Sequence, residues 1–572
     1  MKNIPFYEIQ KINDLRDMMA QSLTRFSDRT AFLAKDKEAG AYQSIKFEKY
    51  YSDVEAFGTG LHDLGLAGCR VALISETRYE WYVTYMATVN GVGIIVPLDK
   101  ELPPHELASL LNRSRADVLV YSKSKASEIT AIRNQISTVH CFICTDDPTI
   151  TVNNDLFFGD IIQRGYKLLS SGDRHFAEYP LDPDAMRILL FTSGTTDQAK
   201  AVMLSHHNIC SNLMAMSKMI FLGTEDVLLS VLPLHHTYEC SCGFLCSIYR
   251  GSTIAVCEGL RYIQKNMQES HATVMMVVPL MLETFYARIM KTIQADPATA
   301  RKFKLGRRIS NLLLKIGIDR RRQIFKQIHD NFGGKMRLFI SGGAPIDPKV
   351  LKGMNELGIL SIQGYGLTEC SPILAVNRDV EYKDYSAGMA LPGVDIKIID
   401  PDEKGIGEIC GRGPNVMLGY YENSEATTAA IDQDGFFHTG DLGYVDKEGF
   451  VIITGRKKNV IVTKNGKNIF PEEIEALLGR SEYISECLVS GLVDETGEWT
   501  VQAEIFPDME AIKLSLGEAA ADQEAVRMLI AKEVRKVNHQ LETYKYIRVF
   551  DIRTTEFEKT TTKKIRRSNV KS

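Results

Sequence analysis

A short polar stretch in the first half of the chain has the composition of a phosphate-binding loop. It consists of Thr192, Ser193, Gly194, Thr195 and Thr196, and Lys200 lies shortly after it. An apolar run over 186–191 precedes it and predicts a buried strand, and the residues from His206 onward predict a helix. Backbone N–H groups and hydroxyls in such a turn bind anions, and Lys200 adds a mobile positive charge. This chemistry suits a nucleotide triphosphate.

The stretch does not match the Walker pattern for phosphate loops. That pattern, G-x-x-x-x-G-K-[ST], needs a second glycine for close phosphate approach and a hydroxyl for Mg²⁺. Counting from Gly194, Ala199 stands at the second glycine, Lys200 fits, and Ala201 stands at the hydroxyl position. Because two of the four fixed positions fail, a different kind of nucleotide loop is indicated.

Further candidate residues recur along the chain, several of them where a predicted strand ends. The candidates are His236, Gly343, Ala344, Tyr365, Gly366, Thr368, Glu369, Asp441, Arg456, Lys458 and, near the end, Lys564. Each has a common structural explanation when taken singly, such as a turn aspartate, a buried tyrosine or a lysine in a frayed tail. Their chemistry is nevertheless complementary. A carboxylate that attacks a phosphate needs cations to neutralise both anions, and a carboxylate such as Asp441 can accept two hydrogen bonds from a ribose diol.

In this order the motifs resemble those of the AMP-forming adenylating enzymes, which include acyl-CoA synthetases, luciferases and the adenylation domains of peptide synthetases. The resemblance spans about Ser44 to Arg567. Glu239 and the segment 332–341 resemble the long-chain fatty acid branch. The resemblance implies ATP, Mg²⁺ and coenzyme A as cofactors and a fatty acid as substrate.

The resemblance also implies a role for each candidate. Residues 192–196 and Lys200 would grip the β- and γ-phosphates, and Gly343 and Ala344 would pass against adenine. Tyr365, beside Gly366, would stack on adenine, Thr368 would contact phosphate, and Glu369 would bind Mg²⁺. Asp441 and Arg456 would contact the ribose, and His236 would lie near the acyl-adenylate. Lys458 would be the hinge, and Lys564 would be the catalytic lysine.

The match has departures that leave alternatives open. Asp197, Ala199 and Ala201 stand where the family has glycine or proline in the phosphate loop, and Lys563 replaces a glycine beside Lys564. One alternative is a relative that binds nucleotide or acyl ligand without turnover. Another is an enzyme that transfers the acyl group to a separate acyl carrier protein. The acyl chain length and the oligomeric state are left open by the sequence.

The elements that must position these residues alternate between strand and helix from about Ser44. Such alternation predicts α/β architecture with parallel, helix-covered sheets and with binding loops at the carboxyl ends of the strands. After about Val394, short strands and turns predict a small barrel-like β subdomain. We expect residues 1–455 to form an N-terminal adenylation domain and residues 456–572 a small, mobile α+β lid domain that carries the catalytic lysine.

Composition narrows the class of protein further. The 572 residues carry a net charge of −4, so no basic field favours nucleic acid. No apolar run approaches the roughly 20 residues of a membrane span, and the start lacks a signal-peptide core. Eleven cysteines suit a reducing, cytoplasmic location. Cys141 and Cys144 lie three apart on a predicted strand and so point to opposite faces, and the cluster at 235–242 lacks a second ligand pair, so no zinc site is predicted. The basic, partly apolar segment 291–322 is compatible either with a solvated helix or with peripheral contact at an inner membrane face.

Overall fold

The computed structural model describes residues 4–35, 40–146, 155–192, 199–462, 468–493 and 499–559, together with 565 and 567. Ser193, Gly194, Thr195, Thr196, Lys563 and Lys564 therefore lie outside the described residues. Within the described part of the chain, no helix is both long enough and apolar enough to cross a membrane.

The first part of the chain alternates helices with mostly parallel strands. Its elements are α1 (Leu15–Phe26), β1 (Thr30–Lys35), β2 (Tyr42–Lys46), α2 (Phe47–Asp63), β3 (Arg70–Ile74), α3 (Tyr79–Ala87), β4 (Ile94–Pro97), α4 (Pro104–Ser114), β5 (Val118–Tyr121), α5 (Ala126–Ile132), β6 (Cys141–Cys144), β7 (Leu156–Phe157) and α6 (Phe158–Ser170).

The middle part continues the alternation and contributes most of the candidate site. Its elements are β8 (Met186–Thr192), β9 (Lys200–Ser205), α7 (His206–Met219), β10 (Val227–Ser230), α8 (Cys246–Arg250), β11 (Thr253–Val256), α9 (Ile263–Ser270), β12 (Val274–Val277), α10 (Pro279–Gln294), α11 (Pro297–Lys315), α12 (Arg321–Ile324), α13 (Lys326–Asn331), β13 (Leu338–Ser341), α14 (Pro348–Glu356), β14 (Leu360–Gly366), β15 (Ile373–Val376) and β16 (Met389–Ala390). A wider, π-type helical segment, Tyr238–Leu245, leads into α8.

The last part begins with short antiparallel strands and ends in an α+β unit. Its elements are β17 (Asp395–Ile399), β18 (Gly407–Arg412), β19 (Gly419–Tyr420), α15 (Ser424–Ala430), β20 (Phe437–Val445), β21 (Val451–Arg456), β22 (Ile461–Val462), β23 (Asn468–Ile469), α16 (Pro471–Leu478), β24 (Ile484–Val493), β25 (Trp499–Pro507), α17 (Met509–Leu516), α18 (Gln523–Asn538) and β26 (Ile547–Ile552).

Two large sheets dominate the described residues. One has the strand order β19-β9-β8-β4-β3-β5-β6-β7, and the other has the order β16-β15-β14-β13-β12-β10-β11-β1-β2. The central strands are parallel and apolar throughout, and all four residues of β12, for example, are buried. Because helices cover both faces of such sheets, the strands form continuous apolar runs in the sequence. The predicted α/β class is confirmed.

The subdomain that was expected to be barrel-like is a four-stranded antiparallel sheet, β17-β18-β20-β21. Beyond it, β24, β25 and β26 form a separate sheet, and the helices α16 and α18 pack on it around an apolar core of their own. Residues 456–572 thus contain a self-contained packing unit, which is the property expected of a small domain.

The helix predicted from His206 is present, but the sequence analysis missed the element that comes directly after the phosphate-loop stretch. A strand, β9, lies between that stretch and the helix α7, and it pairs antiparallel with β8 so that Thr192 and Lys200 lie opposite each other. The stretch therefore connects two strands of a hairpin. It does not lead directly into a helix N-terminus, which removes the helix dipole from its anion-binding chemistry.

Candidate active site

A cleft of about 3100 Å³ opens where the carboxyl ends of β8, β13 and β14 meet the short-strand region. It is lined by every candidate residue that the structure describes: Thr192, Lys200, His236, Gly343, Ala344, Tyr365, Gly366, Thr368, Glu369, Asp441, Arg456 and Lys458. Residues that are far apart in the sequence are thus brought to one cavity, which is larger than most small-molecule sites.

One side of the cleft, which we call the polar wall, consists of Lys200, Tyr365, Glu369, Tyr420, Asp441 and Arg456. Asp441 and Arg456 are direct cross-strand partners of β20 and β21, and the Arg456 guanidinium lies 2.6 Å from the Asp441 carboxylate. The Tyr365 hydroxyl donates to the same carboxylate at 2.7 Å. Asp441 is buried, so its carboxylate is fixed by two donors before any ligand enters.

The part of β20 that carries Asp441 is held by neighbouring polar side chains. The Thr439 hydroxyl donates to the Ile409 carbonyl at 2.6 Å and accepts from the Asp441 amide at 3.0 Å. The buried Glu408 carboxylate accepts from the Gly440 amide at 3.1 Å and from Lys457 at 2.8 Å. Burial alone would raise the pKa of Glu408, but the bonds from Lys457 and His438 lower it.

Glu408, Cys410 and His438 are close enough to one another to resemble a metal-binding group. Two observations argue against that role. Lys457 already supplies a cation to Glu408, at 2.8 Å. Burial raises the pKa of Cys410 to about 12, whereas a metal ligand must be a thiolate. We therefore infer that Glu408, Cys410 and His438 support the part of β20 that carries Asp441.

Lys200 and Glu369 meet through a residue that the sequence analysis did not identify. The Tyr420 hydroxyl donates to Glu369 at 2.9 Å, and the Lys200 ammonium lies 4.5 Å from the centre of the Tyr420 ring. Glu369 is half-buried, and its carbonyl accepts from the Met417 amide at 2.8 Å. A single fixed carboxylate beside a phosphate site fits Mg²⁺, which is usually bound by one or two carboxylates, substrate phosphates and water.

Close backbone approach explains two of the glycines in the cleft. A Cβ atom at Gly366 would lie 1.8 Å from the Pro372 carbonyl oxygen, so no side chain fits there. A Cβ atom at Gly342 would lie 2.8 Å from the ring of Tyr238, whose hydroxyl donates to the Ile340 carbonyl at 2.6 Å. The loop that holds Gly343 and Ala344 is thereby fixed against the segment after His236, and both residues are exposed to the cleft.

His236 lines the cleft next to a second histidine, His235. Its ring centre is 4.0 Å from that of His235, and His235 faces the Asp99 carboxylate at 3.4 Å. A backbone hydrogen bond from the His236 amide to the Pro233 carbonyl, at 3.1 Å, forms the turn that presents both rings.

A second part of the lining, which we call the apolar wall, consists of Met216, Ile220, Leu222, Cys242 and Cys246. These side chains come from α7, the segment after it and the π-type segment that leads into α8. All five are buried in the largest apolar cluster of the described residues. A wall of this kind accepts an alkyl group by shape and by removal of apolar surface from water.

A buried acid lies beside the apolar wall. Glu239 has no exposed surface, and its Oε1 accepts from the Ser230 hydroxyl at 2.6 Å, which in turn accepts from the Tyr82 hydroxyl at 3.0 Å. Burial raises the pKa of Glu239 to about 8, although the bond from Ser230 opposes the shift. Glu239 therefore carries its proton at neutral pH, which avoids an unpaired charge in an apolar region.

The C-terminal unit closes one end of the cleft. Lys458 lines the cleft at the junction, and partial burial together with Arg456 and Arg567 lowers its pKa. Beyond Lys458, two ion pairs among the described residues join the unit to the rest of the chain: Arg480 lies 3.1 Å from Asp347, and Lys404 lies 3.8 Å from Glu542. These contacts are few and partly exposed, so they hold the unit weakly.

Three functional neighbours escaped sequence analysis because no local pattern marks them. Tyr420, Glu408 and Ser230 reach the site only through the fold, as hydrogen-bond partners of Glu369, Gly440 and Glu239. A signal existed only for Tyr420, which directly follows Gly419 and precedes a second tyrosine in a polar, strand-poor region. Such a pair is too common to single out.

Comparison with known proteins adds an independent line of observation. Residues 19–421 match the family model described as AMP-binding enzyme. The chain is 30% identical over 483 residues to long-chain-fatty-acid–CoA ligase 6 of Mus musculus, which covers 79% of this chain and 68% of that protein. It is 27% identical to fatty acyl-CoA synthetase B of Dictyostelium discoideum, over 91% of this chain and 81% of that protein.

A solved structure has the same fold over nearly its whole length. The crystal structure of ATP-bound MatB from Rhodopseudomonas palustris is 26% identical, with a TM-score of 0.73, and the superposition covers 97% of each chain. The short-strand region and the C-terminal unit are thus included in the likeness, in addition to the residues that the family model matches.

Proposed function

Because this chain belongs to the AMP-binding enzyme family, we propose that it is a long-chain fatty acid–CoA ligase that forms AMP and pyrophosphate. It is an AMP-forming acid–thiol ligase, and its substrates and cofactors are a fatty acid, ATP, Mg²⁺ and coenzyme A. One observation supports the fatty acid assignment above all. The same cleft is lined by the polar wall, with the fixed carboxylates Glu369 and Asp441, and by the buried apolar wall.

In the first step, a carboxylate oxygen of the fatty acid attacks the α-phosphorus of ATP. The bond to the bridging oxygen breaks, pyrophosphate leaves, and an acyl-adenylate forms. In the second step, the thiolate of coenzyme A attacks the acyl carbon, and AMP leaves with the electron pair of the broken carbon–oxygen bond. Both steps bring anions together, so charge neutralisation and positioning account for most of the catalysis.

We assign the residues of the polar wall to parts of the nucleotide. Asp441 accepts from the ribose hydroxyls and is held for this by Tyr365 and Arg456. Glu369 would hold Mg²⁺ against the phosphates and is oriented by Tyr420. Lys200, with Thr192 opposite it on the hairpin, neutralises the phosphates next to residues 193–196. Thr368 and His236, which both line the cleft, would contact the reacting groups, and Gly343 and Ala344 would flank adenine.

We propose that residues 1–455 form the adenylation domain and that residues 456–572 form a lid domain. Lys564 in the lid would reach the α-phosphate during the first step, and a turn about Lys458 would then admit the thiol. The self-contained core of the C-terminal unit and its few ion pairs to the rest of the chain support this division. A hinge is a short segment that absorbs such a backbone change.

We propose that the enzyme is cytoplasmic. All eleven cysteines lie among the described residues and are free thiols, as expected for a cytoplasmic enzyme. A long-chain fatty acid partitions into bilayers, so we also propose peripheral contact with a membrane.

The function is tested by measuring pyrophosphate and AMP release from ATP over acids from acetate to palmitate, with benzoate added. We expect release that needs a medium or long fatty acid and that is raised by coenzyme A. Glu369→Gln should lower it at least about 100-fold, whereas Glu425→Gln, at an exposed position on α15, should leave it unchanged. Acid-dependent release of a single equivalent without turnover would indicate a carrier protein as acceptor. ATP binding without release for any acid would contradict the ligase assignment.

A further inference from the structure

Helix α11 exposes a continuous row of large apolar side chains. Leu305 is 58% exposed, Ile309 45%, Leu312 65% and Ile316, just past the helix end, 67%. Their spacing of four, three and four residues places them on one face of a helix. We call this row the α11 stripe. Single exposed apolar residues are ordinary, but a contiguous row of four indicates a surface that binds something.

The stripe is exposed on a helix whose opposite face is packed. Phe303 lies 5.5 Å, centre to centre, from the buried Phe325, and Ser310 is buried. Arg307 lies 3.5 Å from Glu356 at the end of α14. The exposure of the stripe is therefore a property of a docked helix.

The charged residues of α11 are all basic, although the chain as a whole is acidic. Between Pro297 and Lys315 there are six basic residues and no acidic residue, whereas the net charge of the chain is −4. On a helical projection, Arg301, Lys302 and Arg308 lie within about 70° of the centre of the stripe. All three are exposed. A basic helix with an exposed apolar row matches the chemistry of an anionic lipid surface.

The helix that carries the stripe packs against an element of the cleft. Helix α11 follows α10 after two residues and contacts it. The start of α10 lies at the cleft, where Leu280, 66% exposed, is part of the lining. The stripe is therefore carried by a neighbour of the helix that borders the cleft.

We propose that α11 docks on the surface of an anionic lipid bilayer, with the stripe inserted at the headgroup–acyl boundary and the basic residues on the headgroups. The benefit for fatty acid uptake rests on the proposed function, but the docking itself does not. A second copy of this chain is the other occupant to consider. It is disfavoured because two stripes pairing face to face would also bring two helices of charge +6 together.

The test is cosedimentation of the full chain with vesicles of phosphatidylcholine, with and without about 30% phosphatidylglycerol, an anionic content that gives a strong surface potential. We expect binding to the anionic vesicles that weakens as salt rises. The double variant Leu312→Glu with Ile316→Glu should bind at least about tenfold more weakly. Arg308→Glu should weaken binding about fivefold or more. The matched control is Leu514→Glu, at a residue that is 83% exposed on α17 in the C-terminal unit, and it should bind like the parent.

Three outcomes would overturn the proposal: no binding of the parent to anionic vesicles, equal binding by the double variant, or a concentration-dependent dimer that the double variant abolishes. Melting curves show whether each variant is folded. Adenylation of octanoate, which is soluble, is measured in parallel without vesicles. Loss of vesicle binding with normal octanoate turnover separates failure of the docking helix from failure of the ligase assignment.

Discussion

The two walls of the cleft are organised by different kinds of interaction. On the polar wall, Asp441 is gripped by Tyr365 and Arg456, and Glu369 by Tyr420, through hydrogen bonds of 2.6–2.9 Å. On the apolar wall, buried apolar side chains border the cavity and define its shape by packing. The polar wall should therefore be sensitive to loss of a group, and the apolar wall to added volume.

The largest effect should come from breaking the polar wall at its most connected residue. Asp441→Ala removes the acceptor for two donors and leaves the Tyr365 hydroxyl buried without its partner. We expect kcat/KM for ATP to fall at least about 100-fold, or about 2.7 kcal/mol. Asp434→Ala, in the exposed turn before β20, should have no such effect. A change of less than about fivefold in Asp441→Ala would show that the polar wall is not prearranged for the nucleotide.

The acid beside the apolar wall should affect stability in a pH-dependent way. Because the pKa of Glu239 is about 8 in the folded chain and ordinarily 4.5, the folded chain holds this proton more tightly. The stabilisation is complete below about pH 4.5 and is lost as pH rises towards 8. Relative to Glu239→Gln, the parent should lose about 2–3 kcal/mol of stability between about pH 6 and pH 8.

Urea unfolding monitored by the fluorescence of Trp81, which is buried in the same apolar cluster, provides the measurement. Glu225→Gln, at a carboxylate that is 90% exposed, is the control and should behave like the parent at both pH values. Parallel curves for the parent and Glu239→Gln would mean that Glu239 is ionised in the folded chain.

Added volume on the apolar wall should alter acyl selectivity. Cys242→Leu places extra carbon atoms where the wall meets the cleft, so palmitate should lose about tenfold in kcat/KM relative to octanoate. The KM for ATP should not change. Cys210→Leu adds the same volume in the same cluster at a residue that does not line the cleft, and it should leave selectivity intact. Equal losses for both acids would place the acyl chain elsewhere.

The smallest effect should come from loosening the polar wall without removing a ligand-binding group. Tyr420→Phe keeps the ring beneath Lys200 but removes the hydroxyl that orients Glu369. We expect the Mg²⁺ concentration for half-maximal rate to rise about threefold to tenfold, because the variant loses one hydrogen bond from a neutral donor to a charged carboxylate. Tyr421→Phe removes a hydroxyl that bonds to Arg70 at 2.8 Å and should leave the Mg²⁺ dependence unchanged.

Much of the fold could be predicted from the sequence because central parallel strands are apolar throughout. The strand predicted over 186–191 and the helix predicted from His206 are both present, as Met186–Thr192 and His206–Met219. The strand Lys200–Ser205 was missed because Lys-Ala-Val-Met-Leu-Ser directly follows a loop motif and directly precedes a helix. The short helix α17 and the final strand β26 were also missed, since neither has a length or period that distinguishes it from its surroundings.

The candidate residues could be identified because each belongs to a local motif, but their partners could not. Tyr365 is expected, from the resemblance, to stack on adenine, and the structure adds that its hydroxyl orients Asp441, 76 residues away. Long-range pairs of this kind depend on which strands become neighbours, and no local pattern records that. The supporting shell of an active site is therefore the part that a sequence conceals best.

The pairing of β20 with β21 has a consequence for the fate of the reactive intermediate. Asp441 and Arg456, which face each other across these strands, both precede Lys458 in the chain. A rotation about Lys458 would carry away the residues that follow it, with the proposed catalytic lysine, but would leave Asp441 and Arg456 in place. The adenylate would then stay anchored by its sugar while its surroundings are exchanged, which protects it from escape and premature hydrolysis between the two half-reactions.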